Sequence, residues 1–343
     1  MSRRSRRAVT LADVARHAGV STMTVSNVLN DGGRVGDATR ERVLRSVSAL
    51  NYVPNAAAAR FRGARLSRVG LLYSSVESVF LNTLVAAIST EAAARGLQLL
   101  LRPISGTDPE TARIKAEETV KAGAEALILI PPFAELLAGA GGAGLGVPVA
   151  ALATATALEG MTTIRVDNAA AIRELADGLL SLGHRCIGFV AGPDSHSDSQ
   201  ARRAAFDLAV ASGGAAIGTE LIYVGDFTFR SGLDAGNHFL DLAEPPSAII
   251  ASNDDMAAGV LWVANQRGVS VPDQLAVTGF DDTLLATRVW PALTTVRQPI
   301  TKMAGLALDQ LGRAHRGIAD PTDILVPHQI IVRGSTDTPG PEL

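Results

Sequence analysis

Polar side chains stand where two predicted strands end, and their chemistry suits the binding of a small ligand. Asn253 and Asp254 follow one apolar run, and Asp281 and Asp282 follow another. Amide and carboxylate groups at such positions can exchange hydrogen bonds with the hydroxyl groups of a sugar. A second interpretation stays open, because Asn253 or Asp281 could instead cap the helix that follows.

Catalytic and metal chemistry find little support in the sequence. The neighbouring carboxylates Asp254-Asp255 and Asp281-Asp282 could serve acid-base catalysis, but the side chains of adjacent residues point in different directions and no nucleophile motif accompanies either pair. The six histidines are scattered, and Cys186 is the single cysteine. We therefore expect no catalytic residue, no metal site, no cofactor and no enzymatic activity. His184 is expected to hydrogen-bond locally within its Gly-His-Arg turn.

One glycine-rich stretch resembles a nucleotide-binding loop. The run Gly139-Ala-Gly-Gly-Ala-Gly144 satisfies the pattern G-x-G-x-x-G. A helical pattern over 134–138 precedes it and a predicted strand over 147–152 follows it, which reverses the strand–turn–helix order that places pyrophosphate at a helix N-terminus. A nucleotide-cofactor enzyme therefore remains only as an alternative.

The elements that must position these residues alternate between strand and helix. A chain of 343 residues is longer than a domain with a single hydrophobic core usually is, so more than one domain is expected. Alternation of apolar runs with helical stretches, such as 81–95 and 169–182, predicts parallel sheets covered on both faces, with ligands bound beyond the carboxyl ends of the strands. The predicted strands cover residues 69–73, 98–102, 126–130, 147–152, 187–191, 221–224, 248–251 and 275–280.

The net charge of −3 conceals two segments of opposite charge. Residues 1–70 contain 13 of the 31 basic residues, all of them arginine, and four acidic residues, which gives +9. The other 273 residues contain 18 basic and 30 acidic residues, which gives −12. This distribution indicates a nucleic-acid-binding head on an acidic body.

The basic segment has the pattern of a helix-turn-helix. Thr10 and Asp13 suit a capping box for one short helix, Gly19 permits a sharp turn, and Ser21 is a good N-cap for a second helix over 22–30. A third helix is predicted over roughly 37–50. The second helix would present short polar or flexible side chains to a major groove, namely Thr22, Met23, Ser26, Asn27 and Asn30.

The run from Val9 to Asn30, with Thr39-Arg-Glu-Arg-Val43 and Asn51-Tyr-Val-Pro-Asn55, resembles the head of the lactose/galactose-repressor (LacI/GalR) family of bacterial transcription regulators. In that family the second helix reads the major groove, and the Tyr-x-Pro-Asn stretch leads into a hinge helix that folds on operator DNA. The Ala-rich residues 55–61 suit such a helix, which is too short to be stable alone. The resemblance implies DNA contacts by Thr10, Leu11, Ser21, Thr22, Met23, Thr24, Ser26, Asn27, Asn30, Tyr52, Asn55 and Phe61.

Three positions depart from the family pattern. Gly36 replaces a common serine cap, at small cost. Asn27 stands where many members carry arginine, so adenine can be preferred to guanine. Phe61 replaces the leucine that wedges into the minor groove, a role that a phenyl ring can also fill.

The body resembles the periplasmic-binding-protein-like core of the same family. Its markers are Asp167-Asn168, Leu182-Gly-His-Arg185, Ile250-Ala-Ser-Asn-Asp254 and Thr278-Gly-Phe-Asp-Asp282. The resemblance implies a small effector between two lobes, gripped by Arg202. Phe80 and Phe227 would supply aromatic walls, although each could equally belong to the core. The implied effector-binding residues are Phe80, Arg202, Phe227, Asn253, Asp281 and Gln298.

The expected fold is an all-α helix-turn-helix DNA-binding head plus an α/β periplasmic-binding-protein-like core of two doubly wound parallel-sheet lobes. The expected boundaries are a basic tail over 1–8, the head over 9–54, a hinge over 55–66, the effector-binding and dimerisation domain over 67–335, and a tail over 336–343. We expect a homodimeric repressor on a pseudo-palindromic, double-stranded operator, controlled by a carbohydrate effector.

Two observations bear on where the protein acts. The stretch after Arg7 carries Asp13, Arg16 and His17 in place of an apolar signal segment, so export is not expected. The charge-free run 136–158 contains five glycines and Pro148, so we expect no membrane span. A cytoplasmic, nucleoid-associated protein follows. A sugar-binding transport component with the same body is the alternative that these observations oppose.

Overall fold

Three short helices lie in the described part of the N-terminal unit, residues 1–64, of a chain whose second unit is residues 65–343. The computed structural model describes residues 11–29, 35–50, 66–75, 78–106, 108–139, 142–215 and 218–336. The helices of the first unit are α1 Leu11–Ala18, α2 Thr22–Leu29 and α3 Asp37–Ala49.

Local sequence explains where these helices begin and how they pack. Gly19, at a φ of +63°, makes the turn between α1 and α2. The hydroxyl Oγ of Ser21 accepts a hydrogen bond from the backbone N–H of Thr24 at 3.1 Å and caps α2. Small apolar side chains at helical spacing bury one face of each helix. This core comprises Val14, Ala15, Ala18, Val25, Val28 and Val43. The predicted helix-turn-helix is confirmed.

The second unit is built from two six-stranded sheets. Its first part comprises β1 Arg68–Ser74, α4 Val79–Ala94, β2 Gln98–Ile104, α5 Pro109–Lys121, β3 Ala126–Leu129, α6 Phe133–Gly139, β4 Val149–Leu152 and β5 Thr162–Arg165. Its second part comprises α7 Asn168–Ser181, β6 Ile187–Ala191, α8 Ser197–Ser212, β7 Ile222–Val224, α9 Phe229–Leu240, β8 Ala248–Ala251, α10 Asp254–Gln266, β9 Ala276–Asp281 and β10 Thr294–Arg297. The chain then forms α11 Ile300–His315, β11 Asp323–Leu325 and β12 Gln329–Ile331. Three 3₁₀ turns lie at Gly142–Leu145, Thr219–Leu221 and Leu284–Thr287.

Each sheet is the centre of one lobe. The first lobe has the strand order β11-β5-β4-β3-β1-β2, and the second has β12-β10-β9-β8-β6-β7. The described pairs are parallel except β10–β12, which is antiparallel. Successive side chains of β1 show how both faces are covered: Leu71 packs in the cluster of α4 and α11, and Leu72 packs in that of α5 and α6. The predicted α/β core of two parallel-sheet lobes is confirmed.

The chain crosses between the lobes three times. Residues 166–167 join β5 of the first lobe to α7, which packs against α8 of the second lobe. Residues 298–299 lead from β10 of the second lobe to α11, which packs against α4 of the first. Residues 326–328 join β11 to β12. Three short connecting segments between two lobes form a hinge, and such a hinge permits rigid-body movement of one lobe against the other.

Several sequence-based boundaries need correction. The strand expected over 147–152 begins at Val149, because Pro148 has no N–H to donate to the ladder. The helix expected from residue 81 begins at Val79, because Ser78 caps it. His184 does not bond locally through its ring; Nδ1 lies 2.9 Å from the Oγ of Ser247, 63 positions along the chain.

Four strands were missing from the sequence prediction: β5, β10, β11 and β12. They are short, and β5 and β10 begin with paired threonines. Thr163 and Thr295 are nevertheless fully buried. Their hydroxyl groups donate to Asp323 and Asp254, so the burial of polar groups depends on partners distant in sequence.

The glycine-rich stretch 139–144 leads from α6 towards β4, the order opposite to that of a dinucleotide-binding loop. Among the described residues no helix is both long and apolar enough to cross a membrane.

The packing of α9 on α10 yields a prediction. A Cβ on Gly259 would lie 2.5 Å from the carbonyl oxygen of Phe229 and 2.6 Å from the carbonyl carbon of Gly232. Because backbone atoms cannot rotate away, Gly259→Ala is expected to destabilise the protein by about 2 kcal/mol, as overpacked cores do. Gly178→Ala is the control: that helical glycine has open space around its missing Cβ, so stability should rise by up to about 1 kcal/mol. Urea unfolding compares them, and a Gly259→Ala protein as stable as wild type would refute the close approach.

Candidate functional site

The second helix of the head presents a polar face. Ser21, Thr22 and Met23 are exposed, with Met23 at 71% of its full accessibility. Thr24 and Asn27 are half-buried, and the hydroxyl groups of Ser21 and Thr24 lie 2.9 Å apart. The exposed side chains of this face are those that the sequence predicts to face DNA.

The remaining predicted DNA-binding residues divide into two groups. Leu11 is the first residue of α1, and Ser26 lies within α2. Five others lie outside the described residues: Thr10, Asn30, Tyr52, Asn55 and Phe61.

A cavity of about 320 Å³ lies between the two lobes of the second unit. Its volume is within the range that small-molecule sites usually have. Its lining comes from both lobes, at the carboxyl ends of β1, β3 and β4 on one side and of β6 to β9 on the other, as parallel sheets require. The lining residues are Ser74, Ser78, Phe80, Leu81, Ile130, Pro131, Ala153, Pro193, His196, Asp198, Arg202, Asp226, Phe227, Thr228, Asn253 and Asp281.

Arg202, on α8, is the buried cation of the cavity. Its Nε donates to Oδ1 of Asn168 at 2.8 Å, and its Nη1 donates to the carbonyl oxygen of Ser252 at 2.5 Å. The guanidinium carbon lies 3.7 Å from the ring centroid of Phe280. Stacking and hydrogen bonds fix the guanidinium plane, so Arg202 reaches the cavity as a rigid group.

Asp281 faces Arg202 from the end of β9. Burial raises the pKa of its carboxyl group well above the usual range, and the positive charge of Arg202 opposes that rise. The Nε2 of Gln298 donates to Oδ1 of Asp281 at 2.7 Å. Asp281 adopts a φ of +115°, a strained conformation for a residue with a side chain. Gln298 is not among the lining residues, and its role is to hold Asp281.

Asn253 caps a helix and also lines the cavity. Its Oδ1 accepts from the backbone N–H of Met256 at 3.0 Å and caps α10, and Asn253 also lines the cavity. Its Nδ2 donates to the carbonyl oxygen of Phe227 at 2.8 Å. That bond helps hold Phe227 at a φ of +67°, and the ring packs on Gly192, where a Cβ would collide with it. Asn253 therefore positions the aromatic wall.

The other two carboxylates of the predicted pairs turn away from the cavity. Asp254 is fully buried and accepts from Thr295 Oγ1 at 2.6 Å and from the N–H of Thr283 at 2.7 Å. Asp282 pairs with Arg297 at 2.5 Å and with Arg333 at 2.6 Å. Each pair thus gives one residue to the cavity and one to the framework beneath it.

Two carboxylates bridge the lobes beside the cavity. Oε1 of Glu135, on α6 of the first lobe, accepts from Oγ of Ser197, on α8 of the second, at 2.6 Å. The carboxylate of Asp255, on α10, accepts from the backbone N–H of Val79 at the start of α4. Burial raises the pKa of both carboxyl groups. These bonds connect the lobes in the arrangement seen here.

Comparisons with known proteins identify the family. Residues 10–55 match the pattern of bacterial regulatory proteins of the lacI family, and residues 176–336 match a periplasmic binding protein-like domain. The HTH-type transcriptional regulator DegA of Bacillus subtilis is 32% identical over 337 residues, which cover 95% of this chain and 98% of that protein. This chain belongs to the lacI family. The ribose operon repressor of Escherichia coli is 31% identical over 319 residues, covering 91% of this chain and 94% of that protein.

Solved structures agree with this assignment. The Lac repressor dimer bound to operator and the anti-inducer ONPF aligns with a TM-score of 0.75 and 27% identity, over 96% of this chain and 99% of that chain. The complex of the transcriptional regulator CelR with cellobiose aligns with a TM-score of 0.69 and 28% identity, over 95% and 99%. The lacI-family protein described here is a DNA-binding transcriptional regulator, and its relatives are regulators rather than enzymes.

The cavity of this lacI-family regulator brings together five of the six predicted effector residues: Phe80, Arg202, Phe227, Asn253 and Asp281. Sequence reasoning missed others, of which His196, Asp198 and Asp226 carry the most chemistry. The rule that ligands bind beyond strand ends points to Asp226, which comes two residues after β7. His196 and Asp198 stand at the start of α8, further from β6, and only the folded loop shows that they face the cavity.

The buried framework makes stability depend on pH. Burial raises the pKa of Asp254 to about 7, and the charge of Asp282 adds to the rise. The native state holds this proton more tightly than the unfolded state. Protonated Asp254 therefore contributes fully to the free energy of unfolding below about pH 4. This contribution falls by at most about 4 kcal/mol as the pH rises to 8.

Asp254→Asn removes that titration. Between pH 4.5 and pH 8 the free energy of unfolding should shift in favour of the variant, relative to wild type, by about 2–4 kcal/mol. Urea unfolding at both pH values measures this difference, with the exposed Asp273→Asn as control. A difference that stays constant with pH contradicts the prediction.

Proposed function

We propose that this lacI-family regulator is a homodimeric repressor whose affinity for a pseudo-palindromic operator is controlled by a carbohydrate bound between the lobes. The observation that carries the proposal is the cavity itself. A guanidinium, an amide and a carboxylate, from Arg202, Asn253 and Asp281, converge there between the aromatic side chains of Phe80 and Phe227. Polar groups that fix hydroxyl positions and apolar rings that cover a pyranose face suit a sugar.

The neighbouring structures support this ligand class. CelR is described in complex with cellobiose, and the Lac repressor with the anti-inducer ONPF. For the present chain, the effector-binding residues that we propose are Phe80, Arg202, Phe227, Asn253 and Asp281, with Gln298 as the support of Asp281.

Short chains of hydrogen bonds connect the residues that line the cavity to the segments that join the lobes. Asp281 is bonded to Gln298, and Gln298 lies in the second crossover between the lobes. Glu135 and Ser197 connect the lobes next to Asp198, which lines the cavity. A ligand that prefers one lobe arrangement shifts the equilibrium between arrangements by the difference in its affinities for them. This difference is the free energy available to change operator affinity.

The proposed domain roles follow the sequence. Residues 9–54 read the operator through Ser21, Thr22, Met23, Thr24 and Asn27, with residues 55–66 as hinge and residues 67–335 as effector-binding and dimerisation domain. The tails are residues 1–8 and 336–343. The Lac repressor dimer bound to operator is the precedent for two heads on two half-sites. A regulator that acts on the chromosome works in the cytoplasm, in association with the nucleoid.

DNA binding is tested by fluorescence anisotropy with DNA from upstream of the protein's own gene or of neighbouring operons. The full chain should form a sequence-preferring complex that weakens steeply as salt rises, and residues 65–343 alone should form none. Asn27→Ala should reduce the preference for the best sequence by about 1–3 kcal/mol, and Met23→Ala should alter it. The control is Asn265→Ala, an exposed asparagine on the second unit.

Two results would refute the DNA-binding assignment of α2. One is the absence of any salt-sensitive, sequence-preferring complex with the full chain. The other is an operator preference that Asn27→Ala and Met23→Ala both leave unchanged.

A further inference from the structure

The cavity of the second unit contains more negative than positive groups. Two carboxylates line it, from Asp198 and Asp226, together with one guanidinium, from Arg202, and with Asp281, whose pKa burial raises well above the usual range. A sugar-binding role alone requires donors and acceptors but does not require this excess of acid.

The positive charge of Arg202 is already balanced inside the protein. The side chain is buried, its Nε and Nη1 are bonded to Asn168 and Ser252, and its charge stabilises the carboxylate of Asp281. Its Nη2 lies 3.6 Å from Oδ2 of Asp198. An anionic ligand would therefore find no unpaired guanidinium in the cavity, and it would meet carboxylates in a setting where desolvated like charges repel strongly.

Asp198 has an unsatisfied acceptor. It stands in the first turn of α8, where the helix dipole favours a negative charge. Its Oδ1 is buried, and no described residue donates a hydrogen bond to it. The nearest ring nitrogen, Nδ1 of His196, is 3.9 Å away, which is too far for a hydrogen bond. A buried acceptor without a partner is costly, and a donor on a ligand would remove that cost.

A second buried acidic side chain lies beside Asp198. Oε2 of Glu135 is also buried without a donor among the described residues, and burial raises the pKa of Glu135, a rise to which the charge of Asp198 adds. Adding a phosphate or carboxylate here would increase the repulsion between like charges. Adding a hydroxyl or ammonium donor would reduce it.

We propose that Asp198 determines ligand specificity, by accepting a hydrogen bond from a hydroxyl or ammonium group and by excluding sugars that carry phosphate or carboxylate. This inference rests on the proposed function, since it names the class of sugar that the same cavity takes. Asp198 acts on the ligand directly, from the lobe that also holds Arg202.

Matched sets of sugars test the proposal on the full chain. Each set contains a neutral sugar and its phosphate ester, for example ribose and ribose 5-phosphate, and where possible also the amino derivative, as with glucose, glucosamine and glucose 6-phosphate. Thermal shift identifies the sets that stabilise the protein, and calorimetry measures Kd within them. In every such set we expect the phosphate ester to bind at least 10-fold more weakly than its neutral parent.

Asp198→Asn keeps the shape of the side chain and removes its charge. The variant should reduce the discrimination against the phosphate ester at least 10-fold and weaken binding of the amino sugar most. Asp194→Asn is the matched control, because Asp194 lies in the loop just before α8, is exposed and is not a lining residue. Arg202→Ala should abolish stabilisation by every sugar. Because Arg202 also holds Asn168 and the Ser252 carbonyl, the unfolding midpoint of the sugar-free variant is measured beside it, and loss of binding in a variant that still unfolds cooperatively assigns the sugar to the cavity.

The outcomes separate the two claims. A phosphate ester that binds as tightly as its parent, or a discrimination that Asp198→Asn leaves unchanged, overturns the specificity assignment while the sugar effector stands. If no member of any set stabilises the protein, the sugar effector itself is refuted, and the specificity assignment with it.

Discussion

A buried guanidinium organises the floor of the interlobe cavity. A charge removed from water must find partners of fixed geometry. Arg202 finds four of them on three segments: Asn168 of α7, the Ser252 carbonyl after β8, and Phe280 and Asp281 of β9. Loss of any partner would leave a buried charge or a buried donor unsatisfied. The need to satisfy one cation thus fixes the mutual positions of the strand ends that line the cavity.

The strand ends divide their residues between ligand and framework. Asn253 and Asp281 line the cavity, whereas their neighbours Asp254 and Asp282 anchor the loops beneath it. The division falls where the backbone changes conformation: Asn253 is the N-cap of α10 and Asp254 its first residue, and Asp281 ends β9 while Asp282 follows it. Acidic residues that suggest catalysis in the sequence thus line the cavity or hold the loops beneath it in this fold.

The sequence predicted the features that local pattern determines. The apolar runs at 187–191 and 248–251 became strands with the expected bounds, and Ser21 caps the second helix of the head as its residue type suggests. The threonine-rich β5 and β10 were not predicted. Their polar side chains can be buried only because they form hydrogen bonds with residues elsewhere in the chain.

The cavity shows the same limit. Arg202, Asn253 and Asp281 followed from strand ends and from family resemblance, but Asp198 and His196 reach the cavity through the path of the loop after β6. Gln298 is a support rather than a lining residue, because the second crossover places it behind Asp281. Assignment of α7 and α11 to lobes likewise required the tertiary structure, since each packs in the lobe opposite to that of the strand before it.

Coupling between the cavity and the DNA-binding head is the central claim, and operator affinity with and without bound sugar measures it most directly. A sugar that stabilises the full chain should change the operator Kd at least 5-fold in anisotropy titrations, and saturating operator should change the sugar Kd by the same factor, because coupling free energies are reciprocal. The contradicting result is a sugar that binds in the cavity, as shown by its loss in Arg202→Ala, while the operator Kd stays the same at saturation.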